Sequence, residues 1–308
     1  MAQQMGIASI GTFHKRRGDQ SLLDDVGTAD TAWLRVFGET NDQKWNAMVS
    51  GVNYQLGPKI EGSVWGVQAG LDIYSFKNDW GQDRFGLFYT HTQAGGTVYG
   101  DTLAVNEDHS GDLSLRGDSI GGYWTHIGQD GWYLDGVVMH TWMKGSSSSV
   151  EGLWLPLSGD AVTASLEGGV PFRIGDNWVL EPQAQLIWQH IDLDKTRDQY
   201  STIDYQGFDP VTGRLGGRLE GSVMVYDMPW QPFVSVDLWH NFSQTANAVF
   251  DNADVATALE RTSLELQGGV SVPVADNIAS FVSAGYTTNV SGPMQRSIGG
   301  NIGIRIRW

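Results

Sequence analysis

The sequence predicts an all-β fold, a single membrane-spanning barrel of twelve antiparallel strands, and three observations carry that prediction. Twelve segments alternate apolar and polar side chains with period 2, the connections between them alternate short and long, and tryptophans gather near segment ends. Strand side chains point alternately to two faces, so each segment offers one apolar and one polar surface. An even strand number returns both ends of a closed antiparallel sheet to one side.

Taken in order, residues 1–30 do not alternate. Ile7, Ile10 and Phe13 recur at helical spacing and lead into His14-Lys15-Arg16-Arg17 and Gly18-Asp19. This pattern predicts a short helix ending near Arg17, then an extended lead into the barrel. The helix is either a segment in an acidic lumen, held by charge attraction, or a frayed tail.

Barrel residues 31–308 then supply strands starting near Thr31, Ser63, Arg84, Asp118, Gly131 and Asp160, followed by Trp178, Leu215, Trp230, Thr262, Ile278 and Ser297. Short turns are expected at 77–83, 128–131, 175–177, 227–230 and 275–277, and longer polar loops near 40–62, 94–117, 144–159, 192–213 and 243–261. A short outer hairpin is expected at 290–295. Outer-membrane barrels have short periplasmic turns and longer external loops. Trp132, Trp178, Trp230 and Trp308 fall at the short-turn ends, Trp142 and Trp188 toward the other, as interfacial girdles require.

The two faces can be assigned. Leu180, Ala184, Leu186 and Trp188 oppose Glu181, Gln183 and Gln185, and Ile298, Ile302, Ile304, Ile306 and Trp308 oppose Ser297, Asn301, Arg305 and Arg307. A charged side chain facing lipid at mid-membrane costs about 2–4 kcal/mol. The face carrying Arg35, Asp72, Asp135, Glu167, Glu181 and Arg218 is therefore expected to line the lumen, together with Glu220, Asp237, Glu265, Arg305 and Arg307.

Composition closes off other classes. No apolar run approaches the roughly 18 residues of a membrane helix, and a net charge of -16 opposes a nucleic-acid surface. With no cysteine there is no disulfide framework and no thiolate chemistry. The seven histidines show no metal-ligand spacing, and no nucleotide or cofactor motif occurs, so neither metal nor cofactor is expected. Met1 is not followed by a charged and then apolar leader, so an exported chain would here be a fragment.

Several stretches match a known pattern: Trp33-Leu34-Arg35-Val36-Phe37-Gly38, Gly131-Trp132-Tyr133-Leu134-Asp135, Leu180 to Leu186, Gln231-Pro232-Phe233-Val234 and the C-terminal strand. With Thr12 to Asp19 as a helix-to-barrel junction, the chain resembles the translocator domain of classical autotransporters, in its pertactin-like or adhesin-type branch. The resemblance implies an outer-membrane anchor that exports its own N-terminal passenger, here absent, to the cell surface of a Gram-negative bacterium. It also implies contact with outer-membrane lipid, periplasmic chaperones and the barrel-assembly machinery, which would read Ile304, Ile306 and Trp308 as a C-terminal signal. The protein is expected to be a monomer without a nucleic-acid partner. A diffusion porin is the alternative from another class.

Chemistry has three candidates. Gly117-Asp118-Ser119-Ile120 resembles the first block of a Gly-Asp-Ser-Leu esterase, but it opens a strand and lacks a matching Asp-x-x-His. His126 or His140 could be recast beside a serine on the barrel exterior, as in an outer-membrane phospholipase. Some members of the family resembled cut their passenger inside the barrel with lumenal acids, for which Asp72, Glu181, Glu220 and Glu265 are available. Against this, residues 1–30 contain no Asn-Asn pair. A solvated lumen in which Arg218 and Arg305 balance the acids is the simpler reading, and the chain is expected to be a conduit rather than an enzyme.

Overall fold

A computed structural model describes residues 1–18, 31–45, 47–49, 52–54, 58–102, 105–243 and 245–308. Twelve long strands form the wall: β1 Thr31–Lys44, β2 Lys59–Asn78, β3 Gly81–Thr102, β4 Val105–Gly128, β5 Tyr133–Ser149 and β6 Trp154–Gly169. The second half comprises β7 Trp178–Leu193, β8 Val211–Gly221, β9 Met228–Asn241, β10 Arg261–Ala275, β11 Ile278–Ser291 and β12 Gln295–Arg307. Each pairs antiparallel with its chain neighbours, and β1 pairs with β12 from Thr31↔Arg307 to Gln43↔Gln295. That last pairing closes the sheet and leaves the barrel without an edge to aggregate.

Burial follows the period-2 pattern, with polarity inverted relative to a water-soluble protein. Arg35, Gln68, Asp72, Thr90, Glu167 and Arg305 are nearly inaccessible, whereas Leu34, Val36, Val138, Leu186, Val234 and Ile302 are exposed. Lipid is the solvent that favours such an outer surface. Several inward rings lie on glycines of the next strand, as Trp33 does on Gly70 and Phe281 on Gly303, so a methyl group there would displace the ring.

Two expected loops are largely strand. Residues 94–117 continue the β3–β4 ladder, with Gln93↔Arg116 and Thr97↔Asp112 in register, and residues 144–159 continue β5 and β6 around a turn at 150–153. Polar, glycine-rich sequence reads as loop, yet cross-strand pairing carried over from the spanning part extends these hairpins past the apolar band. The strand beginnings move accordingly: β4 opens at Val105 rather than Asp118 and β6 at Trp154 rather than Asp160, while β1, β7 and β11 open at the expected Thr31, Trp178 and Ile278 and the others shift by a few residues. Three further loops join in a second, six-stranded sheet built from 47–49, 52–54, 196–197, 202–205, 245–250 and 253–258.

The N-terminal segment is two helices rather than one, α1 Ala2–Ile10 and α2 Phe13–Arg17. Gly11 at φ 59° stops the first, and the Thr12 side chain accepts from Lys15 N–H at 3.1 Å to cap the second. The expected lead from Asp19 into the first strand lies outside the described residues.

Candidate functional site in the barrel lumen

The lumen is organised by four consecutive basic residues of α2. His14 Nε2 lies 2.8 Å from Glu181 on β7, and Lys15 Nζ donates to Glu265 on β10 at 2.6 Å. Arg16 donates to Asp135 on β5 at 2.5 Å, and Arg17 forks onto both Asp72 oxygens on β2 at 2.6 and 2.7 Å. Helical side chains rotate by about 100° per residue. Inside a ring of strands, each of the four therefore meets a different wall, and a self-repelling run becomes a clamp.

The clamp has a second layer. Glu167 accepts from Phe13 N–H, Tyr133 O–H and Arg214, at 2.9, 2.8 and 2.9 Å, and Arg214 also donates to Asp237 at 2.5 Å. Tyr123 O–H donates to Asp72 at 2.5 Å. Arg35 donates to the carbonyls of Ala8 and Ser9 at 3.1 and 2.5 Å, and Gln68 to Ser9 at 2.9 Å, satisfying acceptors that the end of α1 leaves open. A cation at a helix C-terminus also meets the favourable end of the helix dipole. Apolar contacts complete the seat: Met5 packs with Leu115, Met143 and Ile191, and Ile10 with Trp33, Phe88 and Ile187.

The first helix sits off-centre. α1 leans on β2, β3, β5, β6 and β7. Toward the opposite wall a cavity of about 220 Å³ remains, lined by Glu39, Trp239, Arg261, Glu265, Gln295 and Ser297.

The expected lumenal residues fall as follows. Arg35, Asp72, Asp135, Glu167, Glu181, Arg218, Asp237 and Arg305 are buried. Glu265 is mostly covered beside Lys15, and Glu220 is mostly covered in an ion pair with Arg218 at 2.8 Å. Arg307 is half-buried, Ile304 half-buried, Ile306 and Trp308 exposed. Asp72, Glu181 and Glu220 are not brought together, since they lie on β2, β7 and β8 with Arg17, His14 and Arg218 as separate partners. Ser119 faces inward on Thr141 at 2.8 Å, while His140 is partly exposed on the outer face near Asp160 and His126 pairs with Asp83. Serine and His140 thus stand on opposite sides of the sheet. Gln68 and Arg214 were not anticipated, although Arg214 shares the parity of Arg218 and could have been read from it; Gln185, expected on the polar face, donates to the Gly11 carbonyl at 2.9 Å.

Comparison with known proteins agrees with this architecture. The family described as Autotransporter beta-domain matches residues 32–285. Uncharacterized protein YdeU of Escherichia coli is 25% identical over 96% of the chain and 65% of its own length. The BrkA autotransporter of Bordetella pertussis is 24% identical over 92% of the chain and 26% of its own length. The chain thus spans less than two thirds of these relatives. The transport unit of the autotransporter AIDA-I from Escherichia coli has a similar fold, with a TM-score of 0.79 and 19% identity over 100% of this chain and 97% of that one. A closed twelve-stranded barrel with a helix-filled lumen, matched over most of its length by that family, makes the chain a member of the autotransporter β-domain family.

Proposed function

We propose that this domain anchors in the outer membrane, lets an N-terminal passenger reach the cell surface through its lumen, and is then closed by its own helices. Autotransporter β-domains are outer-membrane barrels of Gram-negative bacteria, and the apolar outer band fits that location. One observation carries the export reading. The N-terminal segment threads the lumen, with Met1 packed near Val64 toward the long-loop end and Arg17 on Asp72 toward the short-turn end. A polypeptide preceding residue 1 would thus emerge outside. No nucleotide motif supplies energy here, so passenger folding outside would drive transport.

The test is an epitope fused before Met1 behind a secretion signal. It should be cleaved by protease added to intact cells; an epitope protected there but cleaved after outer-membrane permeabilisation would overturn the direction. Deleting residues 1–18 should raise single-channel conductance several-fold, and unchanged conductance would remove the closing role. That second measurement also separates this reading from a diffusion porin, whose conductance would not need the deletion.

Self-cleavage has less support, because the candidate acids are tied to separate bases. In a precursor carrying the natural junction, cleavage that survives Glu181→Gln and Glu220→Gln would clear both residues. The outward Trp308 and Ile306 support recognition of the last strand by the barrel-assembly machinery after periplasmic chaperones release the chain. Closure of every wall strand supports a monomer.

A further inference from the structure

The extended hairpins create a surface that export does not explain. Just beyond the apolar band, the outer face of β2–β5 carries one cross-strand row, Trp65↔Gln93↔Arg116↔Lys144, with each residue directly opposite the next. The next row outward is Ser63↔Gly95↔Ser114↔Ser146. Both rows line a concave cleft of about 600 Å³, and Trp154, 62% exposed, stands at its rim. The row on the membrane side holds His91, Asp118 and Trp142, at the interface that the tryptophans mark.

Arg116 and Lys144 are the anomaly. Both side chains point outward, and neither has an ion-pair partner within 4 Å among the described residues. Like charges directly opposite each other across a strand pair are destabilising. In a chain of net charge -16, acids are abundant, yet among the described residues none lies within ion-pair distance of either cation, and Asp118 acts on Arg116 only from farther off. The nearest are occupied: Asp118 accepts from Tyr89 at 2.6 Å and from His91 at 2.8 Å, and Asp112 accepts from Thr97 at 3.0 Å and faces His109 at 3.4 Å. An anion between Arg116 and Lys144 would relieve the repulsion with charge-assisted hydrogen bonds.

The rest of the cleft identifies the anion. Two indoles offer flat apolar faces of the kind that stack on sugar rings, while Gln93, Ser114 and Ser146 offer donors and acceptors to hydroxyl groups. The row points away from the lumen at the edge of the apolar band, the level at which the headgroup of a lipid beside the barrel lies. We propose that this cleft binds the phosphorylated sugar headgroup of a glycolipid in the outer leaflet, with phosphate on Arg116 and Lys144 and the sugar between Trp65 and Trp154. The placement in that leaflet rests on the orientation proposed above, with the long loops outside.

Reconstitution tests binding independently of orientation, because both leaflets then carry the probe. Barrels are placed in phosphatidylethanolamine vesicles containing a bis-phosphorylated diglucosamine lipid, the same lipid after phosphate removal, or phosphatidylglycerol, and lipid retained after extraction is measured by native mass spectrometry. The wild-type chain should retain the phosphorylated glycolipid, and Arg116→Gln with Lys144→Gln should weaken retention about tenfold, as loss of a charge-assisted contact implies. Ser114→Asp, which keeps both cations and adds a repelling carboxylate, should weaken it as well and guards against a folding defect in the double variant. Equal retention by either variant, or of the dephosphorylated lipid, would overturn the proposal. Equal retention of phosphatidylglycerol would overturn the sugar assignment and reduce the cleft to a general anionic patch. Protease access to the epitope on intact cells decides the orientation separately.

Discussion

The inner and outer faces of one sheet follow different rules. On the outer face, Leu34, Val36, Val138 and Ile302 serve one requirement, apolarity at a given depth, because lipid is a nearly uniform solvent with no partner to match. On the inner face, Arg16 needs Asp135, Arg17 needs Asp72 and Lys15 needs Glu265, because a charge removed from water is tolerated only beside a specific counter-group. The outer face should therefore accept many substitutions and the inner face few. The same contrast separates the Arg116–Lys144 cleft from both, as an outward surface that sets two cations directly opposite each other.

The largest effect should come from breaking an inner pair. Asp135→Asn leaves Arg16, 1% exposed, without its anion and should cost about 3–5 kcal/mol in urea unfolding of the vesicle-inserted barrel. Adding Arg16→Met should recover most of that loss. A cost below about 1 kcal/mol for Asp135→Asn would mean that water screens the lumen as it does a surface. Next comes the outer face: Val138→Arg should cost about 2–4 kcal/mol, and Val290→Arg, near the strand end, about 0–1 kcal/mol. Equal costs would break the rule that depth alone governs that face. Lys15→Gln should cost about 1 kcal/mol or less, since the Lys15 side chain keeps 24% of its exposure, and the effect should shrink at high salt. Smallest in stability are the terminal changes. Deleting Trp308 should nonetheless lower outer-membrane assembly yield more than Arg307→Gln, and equal yields would contradict a recognition role for the aromatic terminus.

Much of this was legible in the chain itself, for identifiable reasons. Period-2 alternation exposed which side of each strand would be wet, so that Glu181 and Leu180 could be told apart without coordinates. It failed in 94–117, because glycines and polar residues interrupt the alternation over most of that stretch and because past the apolar band the faces exchange roles, with Ala94 and Leu115 buried inside against Met5 while Ser114 and Arg116 face out. The single helix expected over Ile7 to Arg17 failed at Gly11, whose positive φ lets the chain turn between two seats in the lumen. His14-Lys15-Arg16-Arg17 was recognisable as a cationic helix end, whereas its four counter-ions are 55 to 250 residues away in sequence. Nothing local could pair them.

Local periodicity was enough for the strand number and the two faces, and hence for a barrel whose outside is apolar. Every segment carries that periodicity independently. It takes the closed barrel to decide which acid each basic residue of α2 finds, that α1 leans on one wall and leaves a cavity along the other, and that Trp65, Gln93, Arg116 and Lys144 form one row. Those features depend on register between strands and on closure of the sheet through Thr31↔Arg307, which bring together residues that no single segment can relate.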